Sequence, residues 1–339
     1  MRIAIDAMGG DFAPQSVVEA VNHIAPKYPQ VTFQLFGPQD QLSELIKERD
    51  NIKIFHAPDK ISGDAEPVRA VRRQKTSSLV LAAQSVKEGQ SDALVSAGNT
   101  GALLTAGLLI VGRIKGIDRP ALAAVLPAFG DTRSSFVLLD VGANADTKLK
   151  NMQQFAFLGS LYAKYFLHIE QPTVGLINNG SEETKGNELT KSAYQLLKNT
   201  AEINFVGNIE SRHILEGVAD VAVSDGFTGN AVLKSIEGTA MVMMQQMKSV
   251  IMNGGLIAKI GGLLLRTPLK KFAKQLNYEN VGGAILLGVK APVIKAHGNA
   301  KSNTLVATFE QLIEFLNTPF IEEIESGIQR MQEASEQSE

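Results

Sequence analysis

Arg2-Ile3-Ala4-Ile5-Asp6-Ala7-Met8-Gly9-Gly10-Asp11 begins as an apolar run without polar alternation and ends in a glycine pair ahead of a carboxylate. Such a run is a strand covered on both faces, and the glycines turn the chain toward the helical pattern at Ser16–Ala25. The same unit repeats down the chain. Strands are expected at Arg2–Asp6, Val31–Phe36, Ile52–His56, Ala93–Ser96, Ala121–Leu126, Phe136–Asp140, Thr173–Ile177, Ile203–Val206, Val221–Ser224 and Pro292–Ala296. Helices are expected near Ser16–Ala25, Asp40–Glu48, Leu79–Glu88, Met152–Tyr165, Glu188–Lys198 and Ala231–Met252. The alternation predicts an α/β fold: a mostly parallel sheet with helices on both faces, joined by crossovers.

The chain has 339 residues, which fits one α/β domain over 1–330 with room for two lobes around a shared sheet. The polar tail, 331–339, is expected to fray. With 33 Lys and Arg against 35 Asp and Glu, the net charge of −2 removes the electrostatic case for a nucleic-acid binder. The absence of cysteine excludes disulfides, thiolate metal sites and covalent thio-enzyme chemistry. No apolar run reaches the ~18 residues of a membrane span. The opening residues read as a strand and not as a signal peptide, so a cytoplasmic location is expected.

Glycines and small polar residues follow five of the strands: Gly9-Gly10, Gly98-Asn99-Thr100-Gly101, Gly142-Ala143-Asn144, Asn178-Asn179-Gly180-Ser181 with Lys185-Gly186-Asn187, and Asp225-Gly226-Phe227-Thr228-Gly229-Asn230. Ligands of open α/β sheets bind outside the carboxyl ends of strands, and helix N-termini there favour anions. Convergence of the five turns on one sheet edge is expected, which predicts an anion-binding enzyme. The dinucleotide fingerprint and the P-loop are both missing, and no serine sits in a nucleophile elbow. The five histidines lack metal-ligand spacing, so neither a metal nor another cofactor is indicated. His297 stands apart, because it follows a strand and precedes Gly298-Asn299. With no covalent nucleophile in view, the pattern suits a reaction in which a bound anion attacks.

Taken in order with Glu66-Pro67, Arg72, Ser77-Ser78 and His297-Gly298, these turns resemble the phosphate acyltransferase PlsX family over residues 1 to about 330. The chain departs from that family's pattern at Asn179 and at Lys290-Ala291-Pro292. The resemblance implies a fold like isopropylmalate dehydrogenase and phosphotransacetylase. It also implies a homodimer that moves a fatty acyl group from acyl carrier protein to inorganic phosphate, and a membrane glycerol-3-phosphate acyltransferase that consumes the product. On this basis Gly98, Asn99 and Thr100, with Gly226 and Asn230, are expected to form a donor cradle for phosphate, flanked by Gly9, Gly10 and Gly101. Lys185 is the expected cation and Arg72 a second candidate, while Asp225 and Asn144 orient the cradle and His297 faces the same ligand. Asp6 and Asp140 are read either as catalytic groups or as buried caps of loop N–H groups. The rivals are a coenzyme A-dependent phosphate acetyltransferase-like enzyme and a non-catalytic acyl- or lipid-binding protein.

From Gly238 to Tyr278 the chain carries no Asp or Glu but six cations, Lys248, Lys259, Arg266, Lys270, Lys271 and Lys274. They are interleaved with Leu256, Leu263, Leu264 and other apolar residues. An apolar helical hairpin region near 231–276 is therefore expected: its first helix buried in a dimer, its basic second part facing an anionic membrane surface or the acidic carrier protein.

Overall fold

The computed structural model describes residues 1–130, 132–276 and 283–336. Tyr278, the side chains of Lys274 and Leu276, and residues 337–339 of the tail lie outside the described set. Eleven strands form one sheet: β1 Arg2–Asp6, β2 Thr32–Gly37, β3 Ile52–His56, β4 Ala93–Ser96, β5 Ala121–Pro127, β6 Ser135–Leu139, β7 Thr173–Asn178, β8 Asn204–Glu210, β9 Val221–Val223, β10 Ala284–Leu287 and β11 Val293–Lys295. Their order is β3-β2-β1-β4-β11-β10-β5-β6-β9-β7-β8. The helices are α1 Gln15–Ile24, α2 Gln39–Leu45, α3 Pro67–Arg73, α4 Ser78–Lys87, α5 Thr100–Ala106, α6 Leu149–Phe166, α7 Glu188–Lys198, α8 Gly226–Asn253, α9 Gly255–Leu264, α10 Arg266–Leu276, α11 Ser302–Leu316 and α12 Phe320–Glu336.

Strand direction reverses in the middle of the sheet. β3, β2, β1, β4 and β11 are mutually parallel. β10 is antiparallel to both β11 and β5, and β5 is antiparallel to β6. Beyond that, β6, β9, β7 and β8 are parallel again. The molecule is thus two parallel half-sheets pointing in opposite senses, joined at a β10–β5 seam. This overturns the expected convergence of five turns on one edge: those after β1, β4 and β11 leave by one edge, those after β6, β7 and β9 by the other.

Alternation along β1 explains the two cores. Ile3 and Ile5 point to one face, where they join Val17, Phe33, Phe155 and Phe309, while Ala4 faces the other with Leu79, Leu94, Leu103 and Leu138. Each fully buried Phe or Leu contributes about 1.5–3 kcal/mol. The C-terminal helix α12 runs to Glu336 and buries Met331, so residues 331–336 of the tail are helical.

The region near 231–276 is three successive helices, with Gly262 of α9 packed against Ile251 of α8. Asp225 starts α8 by accepting from Thr228 N at 2.8 Å and Thr228 Oγ1 at 2.7 Å. Only Gly226, Gly229 and Leu233 of α8 are buried, and no residue of α9 is. Met241, Val242, Met243 and Val250 stand exposed on α8, and on α9 the exposure is 76% for Leu256, 87% for Ile257 and 77% for Leu264. No described helix is long and apolar enough to cross a membrane.

Candidate functional site

A cleft of about 740 Å³ opens over the seam. Leu122 and Ala124 of β5 form its floor. The β1 and β4 turns and β11 supply one wall, and Gly142 with the second and third turns of α8 supplies the other. Each half-sheet thus contributes one side of the site.

The first wall is built around Asp6. Its buried carboxylate accepts from Ser78 Oγ at 2.5 Å, Ser96 Oγ at 2.7 Å and Met8 N at 3.3 Å. Burial pushes its pKa up, against those hydrogen bonds and the nearby charge of Lys295. Ser96 Oγ in turn accepts from Gly98 N at 3.0 Å, which ties the β1 and β4 turns together. Gly9 is the contact point. A Cβ there would stand 2.6 Å from Asp6 Oδ2 and 2.7 Å from Gly98 N. Gly10 has φ of +107° and reaches the cleft beside Asp11.

Asn99 lies at the mouth, but its amide is engaged. Oδ1 accepts from Ala102 N at 2.9 Å and caps α5. Nδ2 faces the carbonyls of Ser62, Gly63 and Ala65 at 3.3, 3.0 and 3.0 Å. The side chain thereby pins the 60–65 loop, whose Lys60–Gly63 portion lines the cleft. Gly98 and Thr100 line it as expected. Gly101 is packed under Pro67, where a Cβ would meet Cγ at 2.5 Å.

The second wall hangs on Asp140. Its Oδ1 accepts from Leu122 N, Gly142 N and Ala143 N at 2.9, 3.2 and 3.0 Å, its Oδ2 from Asn144 N and Nδ2 at 2.8 and 2.9 Å. Burial raises its pKa while these bonds oppose the rise. Asn144 also donates to Pro120 O at 2.8 Å. The N-terminus of α8 presses on this loop: a Cβ on Gly226 would stand 2.4 Å from Asn144 O, and one on Gly229 only 2.0 Å from Asp140 O. These glycines therefore set helix-to-loop packing. Asn230, one residue on, emerges into the cleft over Gly142.

Lys295, at the end of β11, brings the cation that motif reading did not find. Its Nζ donates to Ala97 O at 3.4 Å and to Ala296 O. Burial lowers its pKa to about 8, Asp11 and Asp6 oppose that, and Lys234 adds to it. Lys234 approaches from α8 and pairs with Glu237 at 2.7 Å. His297 also lines the cleft, with Nδ1 2.7 Å from Asn299 Oδ1.

The remaining expected site residues lie elsewhere in the chain. Lys185 is exposed in the turn after β7, where Asn178 Nδ2 donates to its carbonyl at 3.1 Å. Arg72 is exposed on α3. Asp225 serves α8 as its cap, and Asn144 and Gly226 lie behind the second wall. A lysine closing an otherwise apolar strand, Val293-Ile294-Lys295, was the available signal for the missed cation. Chemically, the cleft offers lysines and backbone N–H groups beside an apolar floor of Leu122, Ala124 and Leu233, which suits an anion next to a hydrocarbon-bearing group.

Comparison with known proteins gives a consistent result. Residues 1–323 match the family model described as fatty acid synthesis protein. The chain is 51% identical over 339 residues to a phosphate acyltransferase of Lactiplantibacillus plantarum, covering 99% of this chain and 97% of that protein. It is 52% identical to a phosphate acyltransferase of Enterococcus faecalis, over 96% and 97% of the two chains. Among solved structures, a phosphotransacetylase from Streptococcus pyogenes superposes with TM-score 0.61 at 14% identity, covering 93% of each chain. A branched-chain phosphotransacylase from Enterococcus faecalis gives 0.58 at 15%, over 94% and 99%. These two likenesses concern the fold.

Proposed function

The chain belongs to the fatty acid synthesis protein family, and on that footing we propose that it is a phosphate acyltransferase working in the cleft over the β10–β5 seam. The near-full-length identity of 51% to a phosphate acyltransferase carries this reading. The fatty acyl donor is acyl carrier protein and the acceptor inorganic phosphate. The reaction feeds phospholipid synthesis by supplying a membrane glycerol-3-phosphate acyltransferase.

A phosphate oxygen attacks the thioester carbonyl carbon, the new C–O bond forms, and the C–S bond breaks. The hydrogen phosphate proton ends on the departing thiol, which balances the step without an external acid. A thiol of pKa about 8.5 is a good leaving group, so the protein's work is positioning and charge. Holding the two reactants together contributes up to about 7–11 kcal/mol of barrier lowering. The backbone N–H groups of Asn99 and Thr100, ahead of the first turn of α5, are suited to the oxyanion, where one donor is worth about 2.7–4 kcal/mol. The apolar floor takes the start of the acyl chain.

The exposed apolar face of α8 supports a homodimer, because Met241, Val242, Met243 and Val250 need cover. The exposed leucines of α9, with Lys259, Arg266, Lys270 and Lys271, support peripheral attachment of a cytoplasmic enzyme to an anionic membrane surface. Thiol release from palmitoyl–acyl carrier protein, with and without phosphate and beside palmitoyl-coenzyme A, tests the reaction. Release that needs both phosphate and carrier is expected. Release from the coenzyme A donor alone would favour a phosphotransacetylase-type enzyme, and release indifferent to phosphate would refute acyl transfer to phosphate.

A further inference from the structure

Two lysines enter the cleft from opposite half-sheets. Lys295 comes from the end of β11 and Lys234 from the third turn of α8. They are close enough for the charge of Lys234 to be felt at Lys295. An ammonium carries three N–H donors. The carbonyls of Ala97 and Ala296 hold two of those on Lys295 and fix its stem, which leaves one for a ligand in the cleft. Lys234 has Glu237 as its partner at 2.7 Å, and Asp11 flanks Lys295. With Lys60, the cleft lining holds three lysines against the two carboxylates of Asp11 and Glu237. Two like charges facing one another across a partly desolvated space repel, and a dianion between them turns that repulsion into two attractions.

We propose that Lys295 and Lys234 together seat the attacking phosphate dianion, Lys295 as the fixed cation and Lys234 as the one that swings from Glu237 onto the ligand. The proposal rests on the acyl-transfer reading and assigns the cation within it. It also accounts for the placement of the site: at the seam the carboxyl end of a strand from one half-sheet and the early turns of a helix from the other line a common space. Lys185, exposed after β7, is then free of this duty in its own subunit.

Steady-state kinetics of Lys295→Met and Lys234→Met test it. Each variant is expected to raise the phosphate KM by about tenfold to a hundredfold, the range for loss of a hydrogen bond to a charged group, with the KM for acyl–acyl carrier protein within twofold. A phosphate KM within twofold of the wild type in Lys295→Met, or equal rises in both KM values, would overturn the seat. A second measurement needs no variant. The native protein is treated with trace acetic anhydride at pH 8, and lysine modification is mapped by mass spectrometry with inorganic phosphate or with chloride at equal ionic strength. Protection of Lys295 and Lys234 by phosphate alone supports the seat; equal labelling in both salts refutes it. If wild-type turnover ignores phosphate, the acyl-transfer reading fails and the labelling experiment decides the seat by itself.

Discussion

Replacing Asn99 by Asp separates two roles that one side chain at a strand end can play. The carboxylate keeps an oxygen where Oδ1 caps Ala102 N at 2.9 Å, so α5 retains its cap. On the other side it puts a charged oxygen where Nδ2 now meets the carbonyls of Ser62, Gly63 and Ala65. An amide has only two N–H groups, so at most two of these bonds are at full strength together. Losing two net hydrogen bonds at about 0.5–1.5 kcal/mol each releases the loop by about 1–3 kcal/mol, before any oxygen–oxygen repulsion. That shifts its opening equilibrium by about 5- to 150-fold. Amide hydrogen exchange over residues 62–65 should quicken by that factor, and kcat/KM for thiol release should fall with it, while exchange in α5 stays unchanged. Asn99→Ala should additionally loosen α5, because loss of the cap costs about 1 kcal/mol. Unchanged exchange at 62–65 with a raised phosphate KM would refute the loop-pinning argument and return the Asn99 amide to direct contact with phosphate.

Three further outcomes are expected. Gly229→Ala should destabilise the protein by about 3 kcal/mol in urea unfolding, beyond the ~1 kcal/mol that alanine gains in a helix, because the new Cβ would lie 2.0 Å from the Asp140 carbonyl oxygen; unchanged stability would mean that α8 is not seated on this loop. Replacing Leu263 and Leu264 together by Glu should abolish co-sedimentation with anionic liposomes and leave the thermal unfolding midpoint within a few degrees, since both are exposed; retained sedimentation would remove α9 from the membrane proposal. The phosphate KM should rise as pH passes about 8, where Lys295 loses its charge in a setting that also holds Asp6, Asp11 and Lys234. Its pKa is lowered from the ordinary lysine value, so the cation is full below that pH and lost above it; a flat profile from pH 7 to 9 would contradict this.

The strand ends were legible because glycine and small polar residues mark them, and β1, β3 and β4 lie where the apolar runs put them. The reversal of the sheet was not. An apolar run looks the same whichever way its strand points, and β10, only four residues long, left a short Ala284-Ile285-Leu286-Leu287 run between glycines. Without that strand there was no reason to doubt a single ligand edge. The site suffered from a second ambiguity. Gly226 and Gly229 admit close backbone approach, but what approaches is the Asp140 loop and not a ligand. Asn99 and Asp225 have the chemistry of anion-site residues and the same chemistry as helix caps, and local sequence does not separate the two. The informative residue was Lys295, a charge at the end of an apolar strand, where burial has to be balanced by the carbonyls and carboxylates around it.

The seam also has a consequence for the order in which the protein is made. Among the described residues β10 and β11 follow the other nine strands in the chain, yet they occupy the centre of the sheet, between β4 and β5. Until residues 284–295 leave the ribosome, β1 to β4 and β5 to β9 are two separate sheets, each with an unpaired central edge. Completion of the sheet is an insertion of a two-strand ribbon into a slot, and the cleft over the seam comes into being at that same moment. A chain stopped short of Ala284 would therefore present two unpaired sheet edges and lack the β11 wall of the cleft.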